Sequence, residues 1–388
     1  MKAAFVLARV DCNDGVAAHL ELLATELVSR GVEIVMITGI VSGETLAPDR
    51  YASLQRLVTR WDRIDDEKVN FSAESVRKIA ARLRHGGFDI VHVHGLGLLS
   101  SVRVALLGTG LPVVATYHPS AHGNAASDFK LTFTRKQRAA YRVFLEVFGP
   151  TQLIAQSLDT DALFVDECGL SRKRVARIIA GIDLEDFRPP SPEERAAARA
   201  SLSIPDGALV CVLPGRLNLN KGHDIAVAAF DRLHAAYPDR RLRCIFPGGG
   251  AQKAEIAALC AGSSDPAMFL MPGFVPLMRE MYWAADIVIL PSRNEGFALV
   301  VAEAMACGCA AIRTPSGGCT DQIVEGKTGF AVGFNDPVAL ADRIGDLLDP
   351  ARLASMRAAA LHHAIEHFSG TRMGDETAAL YRRLAKAA

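Results

Sequence analysis

Short apolar runs alternate with longer helix-forming stretches along almost the whole chain, and this alternation most narrows what the chain can fold into. The segments Ala3–Ala8, Glu33–Thr38, Asp89–His94, Pro112–Tyr117, Gln152–Gln156 and Val175–Ile179 read as strands, as do Leu209–Leu213, Leu242–Phe246, Ile287–Leu290 and Ala310–Arg313. Between them, Ala17–Ser29, Ala73–Arg84, Arg135–Phe148, Asp224–Ala236 and Val338–Leu348 read as helices. Strands separated by helices run parallel, with each helix crossing a face of the sheet. The expected class is therefore α/β, with parallel sheets covered on both sides.

At roughly 150 residues per domain, 388 residues suggest two or three domains. The segment DLEDFRPPSPEE, 183–194, carries Pro189, Pro190 and Pro192, which should stop any regular element there. The expectation is two doubly wound, Rossmann-like domains, 1–188 and 189–369, with a helix over about 370–388 packing back onto the first. Open α/β sheets bind ligands beyond the carboxyl ends of their strands. Two such domains facing each other would enclose a deep cleft.

Lys and Arg number 43, matching 43 Asp and Glu, so no bulk field draws the chain to nucleic acid or to an anionic membrane. Any anion must be held by local groups. The N-terminal apolar run is too short for a signal peptide, and no stretch approaches the roughly 20 apolar residues of a membrane span. The expected location is cytoplasmic. Eight cysteines form no Cys-x-x-Cys pair and show no metal-ligand spacing with histidine. They read as buried free thiols, and neither a metal nor another cofactor is expected.

The densest chemical signal is ILPSRNEGFALVVAEAMACGCAA, 289–311. Pro291 closes a strand, Ser292–Gly296 is a loop, and a helix follows from about Ala298 to Cys307, ended by Gly308. Glu295 sits just before the helix and Glu303 inside it. A helix N-terminus is a natural seat for phosphate, whereas a carboxylate beside it suits neutral hydroxyls such as those of a sugar or a ribose. The alternative is two acids placed by the helix dipole and by solvent. In LPGRLNLNKGHD, 213–224, a strand is followed at once by Gly215, Arg216, Lys221 and Gly222. Arg216 can bind a diphosphate bidentately and Lys221 as a point charge. The alternative is a solvated loop. FPGGGAQKAEI, with Gly248–Gly250, reads as a plain tight turn, and Gly317–Gly318 precede a short helix carrying Asp321.

Together these residues resemble glycosyltransferase family 4, whose members retain anomeric configuration on the two-domain GT-B architecture. The likeness spans nearly the whole chain. Its most specific part is Glu295-GFALVVA-Glu303, followed by EAMACG; PGRLNLNKGHD and GGCTDQIVEGKTGF resemble further family elements. In the first half, Asp14–Gly15, VSRGVEIVMIT, DIVHVHG, VVATYHP and AGIDLEDFRP fit as well.

The resemblance implies a sugar transferred from a nucleoside diphosphate sugar, UDP- or GDP-linked, to a hydroxyl of a small-molecule, glycan or lipid-linked acceptor, without bound metal. Arg216 and Lys221 would neutralise the diphosphate. Glu295 would hold donor-sugar hydroxyls, with the backbone of Gly296, Phe297, Ala298 and Leu299 nearby, and Glu303 the ribose. Gly15 would let backbone approach the diphosphate, and His118 would lie near the donor sugar. Asp14, Ala298 and Ala180 stand where the family usually has Gly, Gly and Asn.

His92 and His94 alternate on one strand and share a face, but no third metal ligand is apparent, so they read as buried or strand-end histidines. His122 could reach an acceptor. The basic, aromatic segment 129–149 reads as an amphipathic helix with a solvated face rather than as a membrane anchor. The loops 40–70 and 118–135 are expected to set the acceptor. Competing readings are an epimerase or phosphorylase on the same architecture, and a non-catalytic sugar-binding protein. A dehydrogenase is disfavoured because no Gly-x-Gly-x-x-Gly follows the first strand.

Overall fold

The computed structural model describes residues 1–11, 15–42, 48–64, 73–118 and 151–387, together with positions 134, 136, 139 and 142. Asp14, His122 and the body of the helix expected over 135–148 lie outside the described residues. The chain forms two units. The first contains the described residues up to 118, those from 134 to 181, and 370–387; the second contains 182–369.

The sheet of the first unit has seven strands: β1 (Lys2–Asp11), β2 (Glu33–Ser42), β3 (Arg60–Arg63), β4 (Ile90–His94), β5 (Val113–Thr116), β6 (Thr151–Ala155) and β7 (Val175–Arg177). All pairings are parallel, in the order β3-β2-β1-β4-β5-β6-β7. The order reverses direction between β1 and β4, which makes a topological switch point. Strand alternation sends Ala4 and Val6 of β1 into one apolar cluster with Val35, Ile37, Val91 and Val93. It sends Ala3, Phe5 and Leu7 into another, on the opposite face. The second cluster includes Leu20, Leu23 and Leu27 of the helix Gly15–Ser29, and Met373, Ala378, Leu380 and Tyr381 of the helix Gly370–Ala387. These two helices approach so closely that a Cβ on Gly374 would lie 2.6 Å from the Glu26 side chain.

The sheet of the second unit has six parallel strands: β8 (Leu209–Val212), β9 (Leu242–Pro247), β10 (Phe269–Gly273), β11 (Ile287–Leu290), β12 (Ala310–Arg313) and β13 (Gly329–Ala331). Their order, β10-β9-β8-β11-β12-β13, repeats the winding of the first sheet and places a second switch point between β8 and β11. Phe230 and Leu233 of the helix His223–Ala236 pack with Cys211, Leu213, Ile287 and Ile289 on one face.

The proline-rich segment does not halt regular structure as expected. Pro192 is the first residue of the helix Pro192–Ser201, and Ser191 caps it: its hydroxyl accepts from the Glu194 amide while the Glu194 carboxylate accepts from the Ser191 amide. Proline needs no amide at this position, so it starts a helix as readily as it stops one. Among the described residues no helix is long and apolar enough to cross a membrane.

Candidate active site

The second switch point gathers the charged residues singled out from the sequence. The loop leaving β8 ends in a tight turn, Leu219–Lys221, and then Gly222 at φ +80°. A Cβ on Gly222 would lie 2.3 Å from the carbonyl oxygen of Pro291, the residue that follows β11. The two loops are therefore in backbone contact. Arg293 fastens them further: its amide donates to the Asn220 carbonyl at 2.7 Å, and its guanidinium grips both Asp224 oxygens, at 3.0 and 2.7 Å. The result is an ion pair between residues 74 apart in sequence, Lys221 Nζ to Glu295 Oε1 at 2.6 Å. Its side chains are 18% and 9% exposed, so both charges are largely withdrawn from solvent.

Arg216 differs. It is exposed, and its guanidinium makes no hydrogen bond or ion pair among the described residues. With Lys221, Asn218, Asn220, Gly250 and Asn294 it lines a depression of about 180 Å³. A cation at the rim and a half-buried one inside suit a polyanion lying in the depression.

Glycines set the floor. A Cβ on Gly248 (φ +139°) would meet the Gly215 carbonyl oxygen at 2.2 Å, and one on Gly250 would meet that of Leu217 at 2.3 Å. The stretch read from sequence as a plain tight turn is thus a backbone-to-backbone contact between the loops after β8 and β9. Gly317 does the same for the loop after β12: its Cβ would lie 2.8 Å from the carbonyl oxygens of Glu295 and Gly296.

The helix Leu299–Ala306 follows β11, and no side chain caps its N-terminus at Ala298. Phe297, just before it, packs edge-on against Phe368 at 5.4 Å. Amides of this first turn have no partner within the helix, which leaves the backbone of Gly296–Leu299 suited to an anion or a hydroxyl oxygen. Glu303, inside the helix, accepts a hydrogen bond from the buried Tyr282 hydroxyl at 2.9 Å. Burial and the Glu303 carboxylate together hold that hydroxyl far above its ordinary pKa, so it stays a donor.

In the first unit, Gly15 is the exposed first residue of the helix that follows β1. His118 lies just beyond β5, half-buried. Its Nε2 is 3.3 Å from Nδ1 of His94, and its ring lies 5.3 Å from that of His19.

Family models match both halves of the chain: "Glycosyltransferase Family 4" over residues 13–186 and "Glycosyl transferases group 1" over 194–362. A D-inositol 3-phosphate glycosyltransferase of Streptomyces scabiei is 30% identical over 95% of this chain and 86% of its own length. One from Corynebacterium urealyticum is 33% identical, over 79% and 74%. The chain belongs to glycosyltransferase family 4. Its α/β fold is that of the GT-B enzymes. A glycosyltransferase of Rickettsia africae superposes with a TM-score of 0.81 at 19% identity, covering 100% of this chain and 99% of the other. Anabaena HepE, solved in complex with UDP-glucose, gives 0.78 at 19% identity, over 98% and 99%.

Two features of this glycosyltransferase escaped the sequence reading. The first is Arg313, fully buried at the end of β12. It donates to Ser316 Oγ and to the Gly317 carbonyl, both at 2.9 Å, and to the Gln322 side chain, whose Nε2 in turn donates to the Ala298 carbonyl at 2.9 Å. It braces the loop that carries Glu295 from beneath. Only its position, a charged residue ending an otherwise apolar strand, hinted at this.

The second corrects the treatment of the histidines. His92 and His94 do share a face, with ring centroids 3.9 Å apart, but His19 and His118 join them. All four are held uncharged by burial. His19 is lowered to about 4 and His92 to about 3, and His94 and His118 fall well below the ordinary value. Nothing in the spacing of His19 foretold that its helix would deliver it here.

Proposed function

We propose that this transferase moves a sugar from a nucleoside diphosphate sugar to an acceptor hydroxyl, with retention of anomeric configuration and without metal in the transfer step. The Lys221–Glu295 pair at the second switch point carries this reading. As the glycosidic bond breaks, negative charge grows on the departing diphosphate. Arg216, with no other partner among the described residues, and Lys221 stabilise that charge, the task a divalent ion performs in other transferases. Glu295 accepts from donor-sugar hydroxyls and keeps Lys221 oriented toward the phosphate. Glu303, which also accepts from Tyr282, holds the ribose hydroxyls. Backbone amides from Gly296 to Leu299 approach the donor. With no strong base among these residues, the leaving phosphate oxygen takes the acceptor proton on the same face, which accounts for retention.

Lys221→Ala and Glu295→Ala are each expected to lower turnover by about 10²–10³-fold while leaving the circular dichroism unchanged. Near-normal turnover in both variants with the cognate donor would overturn the assignment. HepE was solved with UDP and UDP-glucose, and the named relatives act on D-inositol 3-phosphate. UDP- and GDP-sugars, with inositol phosphates first among acceptors, are therefore the panel to screen. A thermal shift of a few degrees with one nucleoside diphosphate and none with the others would fix the base. Isomerised donor appearing without acceptor would favour the epimerase alternative instead.

A further inference from the structure

Four imidazoles crowd the carboxyl ends of β4 and β5. His92 is committed on both sides, with Nδ1 at 2.5 Å from the Tyr381 hydroxyl and Nε2 at 2.6 Å from Thr116 Oγ1. His94 is not. It is 5% exposed, its Nδ1 faces His118, and its Nε2 is buried without a hydrogen-bond partner among the described residues.

His19 completes the group. One nitrogen from each of His19, His94 and His118 lies within 4.8 Å of the other two. Two nitrogens bound at about 2.0–2.1 Å to one tetrahedral ion sit about 3.4 Å apart. The 3.3 Å between His94 and His118 already matches; His19, whose ring nitrogens lie 3.4 and 3.1 Å from Gln156 Nε2, has to exchange that contact for the ion and move inward from the 4.8 Å limit to close the triangle. A metal requires neutral imidazole, and burial keeps all three rings neutral at physiological pH. Three nitrogen donors without thiolate or carboxylate favour zinc and its late first-row neighbours over magnesium, calcium or manganese.

We propose that His19, His94 and His118 form a binding site for a divalent late transition-metal ion such as Zn²⁺, with the fourth position open to water or a ligand oxygen. His118, half-exposed, is the side from which the ion enters. The site belongs wholly to the first unit and does not replace the charge stabilisation assigned to Arg216 and Lys221.

Metal-stripped full-length protein, dialysed against Zn²⁺, tests this by occupancy alone, so the outcome does not depend on the transfer reading. The wild type is expected to hold about one equivalent. His19→Gln should weaken binding at least about tenfold, and His223→Gln, at a buried histidine of the second unit, should leave it unchanged. Co²⁺ in place of Zn²⁺ reports the geometry directly: the wild type should show the intense visible absorption of a four-coordinate ion, and His19→Gln should lose it. This readout needs no variant of the deeply buried His94. Failure of the wild type to bind stoichiometrically, or full binding retained in the His19→Gln, His118→Gln double variant, would overturn the proposal.

Discussion

A lysine and a glutamate 2.6 Å apart, both mostly withdrawn from water, depend on each other more than a surface pair would. Removing either leaves a charge with reduced solvation, so the two substitutions should not add. In a double-mutant cycle on kcat/KM, Lys221→Met with Glu295→Gln is expected to cost less than the sum of the single changes, by about 1 kcal/mol or more. Strict additivity would mean that the pair does not act as a unit. The glycines offer a sharper contrast. Gly250→Ala forces a Cβ to within 2.3 Å of the Leu217 carbonyl oxygen, whereas a Cβ on Gly249 meets nothing within 4 Å. Gly250→Ala should lose about 1–3 kcal/mol of stability, and turnover with it. Gly249→Ala should be close to silent in urea melts and in assays alike. Equal behaviour of the two would contradict the close contact between the loops after β8 and β9.

At the scale of elements, two buried charges hold the second unit in register. Asp286, just before β11, takes Arg195 and Arg199 of the helix Pro192–Ser201, Arg357 of the helix Pro350–His367, and the backbone amide of Val210 in β8. Asp286→Ala leaves three guanidinium groups facing an apolar methyl, and the urea midpoint should fall by an amount equivalent to about 3–5 kcal/mol. Arg313 has a different task, because the loop it braces carries Glu295. Arg313→Met should lower kcat/KM with little loss of helix content, and the same loop should exchange its amides faster.

Much of this was legible in the sequence. The apolar runs disclosed ten strands because buried parallel strands are apolar on both faces. The strands missed had no such run: β3 is RWDR, β13 is three residues long, and β10 spends two of its five positions on Pro and Gly. Glu295, Lys221 and Arg216 could be picked out because glycines and turns mark loops at strand ends. That Lys221 meets Glu295 could not, since it follows from β8 and β11 being adjacent across the switch point. Arg313 and His19 were opaque for the same reason: their partners arrive from other elements.

For the molecule as a whole, acid should act unevenly. His19 and His92 have pKa values of about 4 and about 3 when folded, against about 6.5 in an unfolded chain. Below pH 6.5 the unfolded state takes up protons that the folded state refuses. The stabilisation is complete above that value and drains away as the pH falls toward 4 and then 3, by a few kcal/mol for each such histidine. The first unit buries His19, His92 and His94 and half-buries His118, and the second buries His223, also lowered to about 4, and half-buries His363. Hydrogen exchange in EDTA, compared at pH 7 and pH 5, should show protection lost first around β4, β5 and the helix Gly15–Ser29. Loss beginning in the second unit would refute this.

The helix Gly370–Ala387 has a consequence for how the protein is born. It supplies Met373, Ala378, Leu380 and Tyr381 to a core otherwise built from residues that precede the second unit in the chain. The second unit, continuous from 182 to 369, can close as soon as it emerges. The first must wait with one flank of its sheet only partly covered, by the helix Gly15–Ser29, until the whole of the other has been synthesised. The half that is translated first is therefore the half that matures last, and in the interval it is the natural client of a chaperone.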